Sequence, residues 1–98
     1  MKSTEEILEI LRKFKETEGE KYGIEELALF GSAARGEQRE GSDIDVCMKP
    51  DANVDYFTLL EIQEKLEHLF YTKVDLLTLH DNMNHLFRKN INRDAIFV

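Results

Sequence analysis

The sequence predicts an α/β (α+β) fold, a small mixed β-sheet with helices packed mainly on one face. Three observations predict it. Two long segments carry apolar residues at the three- and four-residue spacing of amphipathic helices. Short apolar or alternating runs have the pattern of strands. Helices and strands alternate along only 98 residues, and this order favours helices layered on a sheet.

The first helix is predicted over residues 3–19. Ser3, followed three residues later by Glu6, forms a capping box, the reciprocal side-chain arrangement that begins many helices. Gly19 is the expected stop, because glycine commonly ends a helix. Between them, apolar residues recur at helical spacing, namely Ile7, Leu8, Ile10, Leu11 and Phe14.

Two strands flank a glycine-containing turn. The apolar run over residues 27–30 predicts a buried strand, after which residues 32–36 are expected to form one helical turn and residues 36–41 a polar loop. Residues 43–48 alternate and predict a second strand. Its faces are Ile44, Val46 and Met48 on one side and Asp43, Asp45 and Cys47 on the other.

Helices and strands are also expected to alternate in the second half of the chain. An amphipathic helix is predicted over residues 55–70, a third strand over 73–79, a last helix over 82–92 and a short edge strand over 96–98. The third strand has Asp75 on the face opposite Val74 and Leu76. The apolar stripe of the first of these helices is Leu59, Leu60, Gln63, Leu66, Leu69 and Phe70, and that of the last is Met83, Leu86, Phe87 and Ile91.

Length and composition narrow the function classes. One domain is expected over residues 1–98, with an N-terminal helix at 1–19 and a core at 24–98. The net charge of −7 argues against direct nucleic-acid binding, which needs a basic surface. No apolar run approaches 18 residues, so no membrane span is expected. A single cysteine and an N-terminus without the apolar stretch of a signal peptide predict a cytoplasmic protein.

The carboxylates of the second strand indicate a metal site. Asp43 and Asp45 stand two residues apart, so both side chains leave one face with Cα atoms about 6–7 Å apart. They repel unless a cation lies between them or one binds a proton. A hard divalent ion such as Mg²⁺ prefers such oxygen ligands. If the strand of Asp75 is a neighbour, three carboxylates converge, enough for a two-metal site.

The turn before these acids suits a phosphate. Gly31 allows a close backbone approach, and Ser32 offers a hydroxyl and a backbone N–H to an anion. A helical turn beginning at Ser32 would also direct free N–H groups at it. The segment is not a Walker A loop, since no lysine with serine or threonine follows at the required spacing. A bound metal ion is therefore expected to neutralise most of the charge of the phosphate.

The motifs Gly-Ser-Ala-Ala-Arg-Gly at 31–36 and Ser-Asp-Ile-Asp at 42–45 resemble the signature of the minimal nucleotidyltransferases of the DNA polymerase β-like superfamily. The segment Val-Asp-Leu-Leu at 74–77 looks like the strand of that family that carries a third carboxylate. The resemblance covers roughly residues 24–98. It extends to the short antitoxins, of the MntA type, that are paired with HEPN-domain toxins, which have about this length and no added substrate domain.

The resemblance implies definite roles. Asp43 and Asp45 would ligate two Mg²⁺ ions on a nucleoside triphosphate, and Asp75 would complete the first metal site and help to deprotonate the acceptor hydroxyl. Gly31 and Ser32 would hold the triphosphate, with pyrophosphate leaving after in-line attack on the α-phosphorus. In the antitoxin branch the nucleotide is ATP, the acceptor is a tyrosine hydroxyl on the toxin, and AMP transfer silences an RNase.

Several residues keep alternative interpretations. Arg35 is a candidate nucleotide contact, or it braces the loop by bonding backbone carbonyls or an acid such as Glu37. Ser32 has a second possible role as a helix N-cap. Ser42 is a candidate to bond nearby backbone and orient Asp43.

Other reactive side chains are expected to be structural. Cys47 shares the carboxylate face but has no evident His or Cys partner, so a small buried thiol is the default. The three histidines lack metal-ligand spacing. The basic residues of the last helix suit a helix C-terminus, with partner or nucleotide contact as the alternative. These residues are His68, His80 and His85, and Arg88, Lys89 and Arg93.

The resulting functional hypothesis is a Mg²⁺-dependent nucleotidyltransferase that transfers AMP from ATP to a hydroxyl of a partner protein, as the antitoxin of a HEPN-type toxin. A core this short leaves little chain to build an acceptor pocket, which favours an acceptor on another protein. One alternative is a non-catalytic antitoxin that neutralises its partner by contact. The other is a nucleotidyltransferase acting on a small molecule, with the acceptor pocket at the interface of a homo-oligomer.

Overall fold

A computed structural model describes residues 2–80, 83 and 85–98. Helices and strands alternate largely as predicted, and one predicted feature, the start of the last helix at residue 82, lies outside the described residues. The elements in chain order are α1 (Thr4–Tyr22), β1 (Ile24–Phe30), α2 (Gly31–Ala34), β2 (Ile44–Pro50), α3 (Tyr56–Phe70), β3 (Val74–Thr78), α4 (His85–Asp94) and β4 (Ile96–Phe97).

The strands form one mixed sheet in the order β3-β2-β1-β4. β1 is antiparallel to both β2 and β4, whereas β2 and β3 are parallel. A parallel pair needs a crossover connection, which α3 provides. The predicted edge strand near the C-terminus is confirmed as β4. In the described part of the chain, no helix has both the length and the apolar character needed to cross a membrane.

The main core lies between the sheet and the pair α1 and α3. Residues from β1, β2 and β3 meet residues from both helices in one buried cluster. A smaller cluster on the opposite face contains Ala28, Cys47, Leu79 and Ile91, the last from α4. Helices therefore cover mainly one face, as the sequence predicted, and the alternation of β2 puts Cys47 on the second face.

The predicted start of α1 is confirmed and its predicted end is wrong. Ser3 accepts a hydrogen bond from the backbone N–H of Glu6, whose side chain accepts one in return. The helix continues through Gly19 to Tyr22, and Gly23 caps it with φ 68°. Tyr22 is buried and stacks on Phe14 with ring centroids 6.4 Å apart. This packing outweighs the helix-breaking tendency of a single internal glycine, about 1 kcal/mol.

The apolar stripe predicted for α3 is only partly correct. Ile62, Leu66 and Phe70 are buried at four-residue spacing and form the packed face. Leu60 and Leu69 are 43% and 44% exposed, although the prediction included them in the stripe. α3 holds more apolar residues than one narrow face can bury, so the sequence spacing alone did not select the right set.

Alanine substitutions at Gly19, inside α1, and at Gly23, its cap, test this account of the helix end. Gly23→Ala would set a Cβ 2.6 Å from Asp51 Oδ2 and 2.7 Å from Val54 Cγ2, on a left-handed backbone. We expect it to lower the free energy of unfolding by about 1–2 kcal/mol or more. Gly19→Ala meets Lys15 Cγ at 3.4 Å and the Ile24 carbonyl oxygen at 3.9 Å, and should raise stability by up to about 1 kcal/mol. Urea unfolding measures both; equal midpoints would contradict the assignment of Gly23 as the stop.

Candidate active site

The turn after β1 is a single helical turn, α2, that starts one residue earlier than predicted. Its end is closed by backbone hydrogen bonds in which the N–H groups of Arg35 and Glu37 donate to the carbonyl of Ser32, at 3.2 Å and 2.8 Å. The N-cap residue is Phe30, and no side chain caps the turn. Ser32 therefore lies inside α2, and its alternative role as an N-cap is wrong.

Gly31 packs directly against Asp45. In the antiparallel register of β1 and β2, Phe30 is paired with Asp45, so the next residue, Gly31, passes over that carboxylate. Gly31 has φ 73°, and a Cβ built on it would lie 3.0 Å from Asp45 Cγ. Only glycine fits this approach and this backbone conformation without displacement. The structure thus brings the glycine-serine turn and the Asp-Ile-Asp strand together.

Asp75 lies beside Asp45 on the neighbouring strand. The parallel register of β2 and β3 pairs the two residues directly, and adjacent strands are about 4.8 Å apart. Two side chains of α3 form hydrogen bonds with the backbone N–H and carbonyl of Val74, the residue before Asp75. Gln63 Nε2 donates to the Val74 carbonyl at 2.8 Å, and Glu67 Oε2 accepts from the Val74 N–H at 3.0 Å. These two α3 residues, which the sequence did not indicate as part of the site, hold the backbone immediately before Asp75.

The three aspartates share one electrostatic environment. Asp43 precedes β2 and is exposed, as is Asp75, whereas Asp45 between them is half-buried. Burial raises the pKa of Asp45, and the neighbouring charges of Asp75 and Asp43 raise it further, while Arg35 acts in the opposite direction. The native site therefore carries concentrated negative charge that disfavours an ionised Asp45.

The donor chemistry at this site fits a divalent cation. Carboxylate oxygens are the hard ligands that Mg²⁺ prefers, and a cation would remove the repulsion that raises the pKa of Asp45. Among the described residues, no three His, Cys, Asp or Glu side chains stand close enough together to enclose a metal ion. The backbone register still sets Asp45 and Asp75 side by side.

Arg35 adopts the bracing arrangement in this structure. Its Nε donates to Glu37 Oε2 at 2.7 Å, and Nη1 lies 4.0 Å from Asp94 Oδ2 at the end of α4. The hydrogen bond to Glu37 is the main reason that the pKa of Arg35 is raised. Since its charge also acts on Asp45, Arg35 stands at the margin of the site, and its contact with a nucleotide stays a prediction.

The loop between the turn and β2 is closed by its own residues. Ser42 Oγ accepts from the backbone N–H of Arg39 at 3.3 Å, and the Ser42 N–H donates to the Arg39 carbonyl at 2.9 Å. Ser42 was expected to bond nearby backbone and to orient Asp43. The first part is confirmed, and the bond fixes the backbone immediately before Asp43.

Three other candidates, Cys47, Arg88 and His80, have structural surroundings or contacts. Cys47 is fully buried, and burial raises its pKa to about 12, so it is a protonated core thiol. Arg88 crosses from α4 to β1, with Nη2 3.7 Å from Glu26 Oε2. His80 Nε2 lies 3.1 Å from Thr78 Oγ1.

One contact to the turn had no signal in the sequence analysis. Thr4 Oγ1, on the first residue of α1, donates to the carbonyl of Ala33 at 2.7 Å. A threonine beside a helix N-cap is common, and its partner is 29 residues away in sequence. Only the packing of α1 against the sheet reveals this bond.

Sequence comparison gives relatives over the full length of the chain. The profile of the family described as Polymerase beta, Nucleotidyltransferase matches residues 5–98. A Methanocaldococcus jannaschii protein, provisionally named a protein adenylyltransferase, is 45% identical over 100 residues and all of both chains. Protein adenylyltransferase MntA of Thermococcus cleftensis is 32% identical over 98 residues, all of this chain and 98% of that protein.

Solved structures share the fold. One, provisionally described as a minimal nucleotidyltransferase, superimposes with a TM-score of 0.82 at 24% identity, over 97% of this chain and 95% of its own. A chain from the complex of a tri-AMPylated Shewanella oneidensis HEPN toxin with an MNT antitoxin gives a TM-score of 0.58 at 19% identity, over 96% of this chain and 66% of its own. These likenesses establish a common fold.

Matched alanine substitutions test the Gly31–Asp45 contact. Gly31 and Gly36 have the same φ of 73°, but a Cβ at Gly36 meets only Thr4 Oγ1, at 4.0 Å. We expect Gly36→Ala to cost about 1–2 kcal/mol from backbone strain, and Gly31→Ala to cost more because it displaces Asp45. Chemical denaturation measures the difference. Equal costs would show that the contact with Asp45 is unimportant.

The pH dependence of stability tests the charge cluster. Because the pKa of Asp45 is raised by folding, the native state favours its protonated form, and the free energy of unfolding falls as pH rises from below about 4 through that raised pKa. Asp45→Asn should therefore increase the urea midpoint at neutral pH, measured with chelator, and flatten this decline.

Asp55 provides a control of opposite sign. Its pKa is lowered by hydrogen bonds from Thr58, so its ionised form stabilises the fold at neutral pH and that contribution is lost in acid. Asp55→Asn should not raise the midpoint at neutral pH. A decrease in midpoint with Asp45→Asn would contradict the charge assignment.

Proposed function

Because this chain belongs to the polymerase β nucleotidyltransferase family, we propose that it transfers AMP from ATP to a hydroxyl group of a partner protein. One observation carries the proposal. Asp45 is in contact with Gly31 of the turn and is paired with Asp75 of the next strand. Asp45 thus links the proposed phosphate-binding turn to the neighbouring strand that carries Asp75.

The aspartates are the proposed metal ligands. Nucleotidyltransferases of this family generally use a divalent metal, and we propose that Asp43, Asp45 and Asp75 hold Mg²⁺, two ions when the nucleotide is bound. The bound metal supplies neutralisation of the charge on the triphosphate and on the departing pyrophosphate. Such binding would remove the repulsion at Asp45.

The other residues bind and orient the nucleotide. Gly31 lets the backbone approach the triphosphate, and Ser32 offers it a backbone N–H and a hydroxyl. Arg35 is a third candidate contact, which requires it to exchange Glu37 for a phosphate; guanidinium groups bind both anions well.

The proposed reaction forms one bond and breaks one. The acceptor hydroxyl oxygen bonds to the α-phosphorus, and the bond from that phosphorus to the oxygen bridging the α- and β-phosphates breaks, releasing pyrophosphate. The hydroxyl proton passes to a base, and the exposed carboxylate of Asp75 is the proposed one. Asp75 lies on β3, at one end of the sheet order, where the surface of another molecule can approach.

The proposed acceptor is a HEPN-type toxin. Two full-length relatives carry the name protein adenylyltransferase, and a structure of the same fold comes from a complex with a tri-AMPylated HEPN toxin. By analogy, we propose an antitoxin that modifies a tyrosine hydroxyl of its toxin. The use of ATP agrees with the cytoplasmic location predicted from the sequence.

Intact-mass spectrometry tests this function. The chain is co-expressed with the protein encoded beside its gene, and the partner is expected to gain the mass of one or more AMP groups. Asp43→Asn should reduce transfer by about a hundredfold or more, as is typical when one group that stabilises transition-state charge is lost. Asp55→Asn, an acid that caps α3, is the matched control and should retain transfer.

Two results would contradict the proposal. Modification of the partner that persists in Asp43→Asn would remove the aspartate from the mechanism. A partner that co-purifies unmodified and is still neutralised by Asp43→Asn would favour a binding module that acts by contact.

A further inference from the structure

The first residues of the chain hold the segment that contains the proposed nucleotide turn. Thr4 Oγ1 donates to the Ala33 carbonyl at 2.7 Å, in a partly buried hydrogen bond. A second tie comes from the other side, where Gln38 Nε2 donates to the Lys2 carbonyl at 3.0 Å. Residues 2–4 thus contact both α2 and the loop that follows it.

α2 needs such support. A helix of four residues is too short to be stable by its own hydrogen bonds, since each nucleating turn fixes several dihedral angles for one bond. Its anchor in the core is Ala33, which is 1% exposed. The Ala33 carbonyl accepts from Thr4 and from the backbone N–H of Gly36, the latter at 3.3 Å. The residue that Thr4 holds is therefore the immediate neighbour of Ser32.

The capping box of α1 gives this bond its geometry. Ser3 and Glu6 exchange hydrogen bonds that start the helix at Thr4. A threonine at the first helical position has its backbone fixed on entry to the helix, and its β-branched side chain has few rotamers. The capping box at the start of α1 thereby directs the hydroxyl of Thr4 at α2.

We propose that Thr4 is a positioning residue of the nucleotide site, whose hydroxyl holds the turn from Gly31 to Ala34 in the conformation that receives a triphosphate. The inference rests on the proposed function, because it assigns the phosphates to this turn. Thr4 acts through the Ala33 carbonyl and does not itself touch the nucleotide.

Matched variants separate this role from general stability. Thr4→Val removes the hydroxyl at nearly constant shape, and Thr4→Ser restores it. Thr17→Val is the control, because Thr17 Oγ1 also donates to a backbone carbonyl of α1, that of Lys13 at 2.9 Å, on a later turn of the helix. Binding of the non-hydrolysable analogue AMP-PNP with Mg²⁺ is measured by calorimetry, and hydrogen exchange of the peptide 31–37 by mass spectrometry.

Thr4→Val is expected to weaken AMP-PNP binding about fivefold, the effect of one neutral hydrogen bond, and to accelerate exchange in residues 31–37. Thr4→Ser and Thr17→Val should both match the wild type in binding and in exchange of this peptide. Should Thr4→Val unfold at the assay temperature, Gln38→Met cuts the second tie and is expected to produce the same local change.

Wild-type affinity in Thr4→Val, or an equal loss in Thr17→Val, would overturn the positioning role while the proposed function stands. A wild-type protein that fails to bind AMP-PNP with Mg²⁺ would overturn the proposed function, and this inference with it.

Discussion

The contact between the bare Cα of Gly31 and the carboxylate of Asp45 is the constraint on which the site depends. The register of β1 and β2 sets Phe30 opposite Asp45, so the chain must turn immediately above an acid. A side chain at Gly31 would displace Asp45 and with it the alignment to Asp75 across the parallel pair. The position of the turn and the alignment of the two strands therefore both depend on the absence of a side chain at Gly31.

The site holds its charge at a cost to stability. Burial and two neighbouring acids raise the pKa of Asp45, so the native protein at neutral pH carries a carboxylate that its surroundings disfavour. A domain of 98 residues has limited buried surface with which to offset this. The offset comes from the main core between the sheet and the two long helices, which lies on the opposite face from the acids. Such separation of a stabilising face from a functional face is the expected compromise in a small protein.

Local patterns in the sequence predicted much of this structure. The Ser3–Glu6 capping box, the alternation of β2 and the association of Gly31 with the Asp-Ile-Asp strand depend on near neighbours or on one spacing, and all three hold. The end of α1 was wrong because the packing of Tyr22 in the core outweighs Gly19, and propensity contains no information about that packing.

Other features depend on which elements meet in space. The pairing of Asp45 with Asp75 was conditional until the strand order was known, because parallel pairing across a helical crossover leaves no local signal. Gln63 and Thr4 were not assigned for the same reason, since each bonds a backbone group of a different element. The buried face of α3 was misjudged at Leu60 because several apolar stripes were available on one helix. The candidate site residues were thus easier to identify from the sequence than the residues that hold them in place.

The position of β3 at the end of the sheet order has a consequence for self-association. A terminal strand presents unpaired backbone groups that can recruit a strand from another molecule, and charged side chains are a common protection against such aggregation. Asp75 is an exposed charge at the second position of this strand, Val74–Thr78. The acid proposed to serve the reaction is therefore also suited to discourage a foreign strand from pairing with this edge of the sheet.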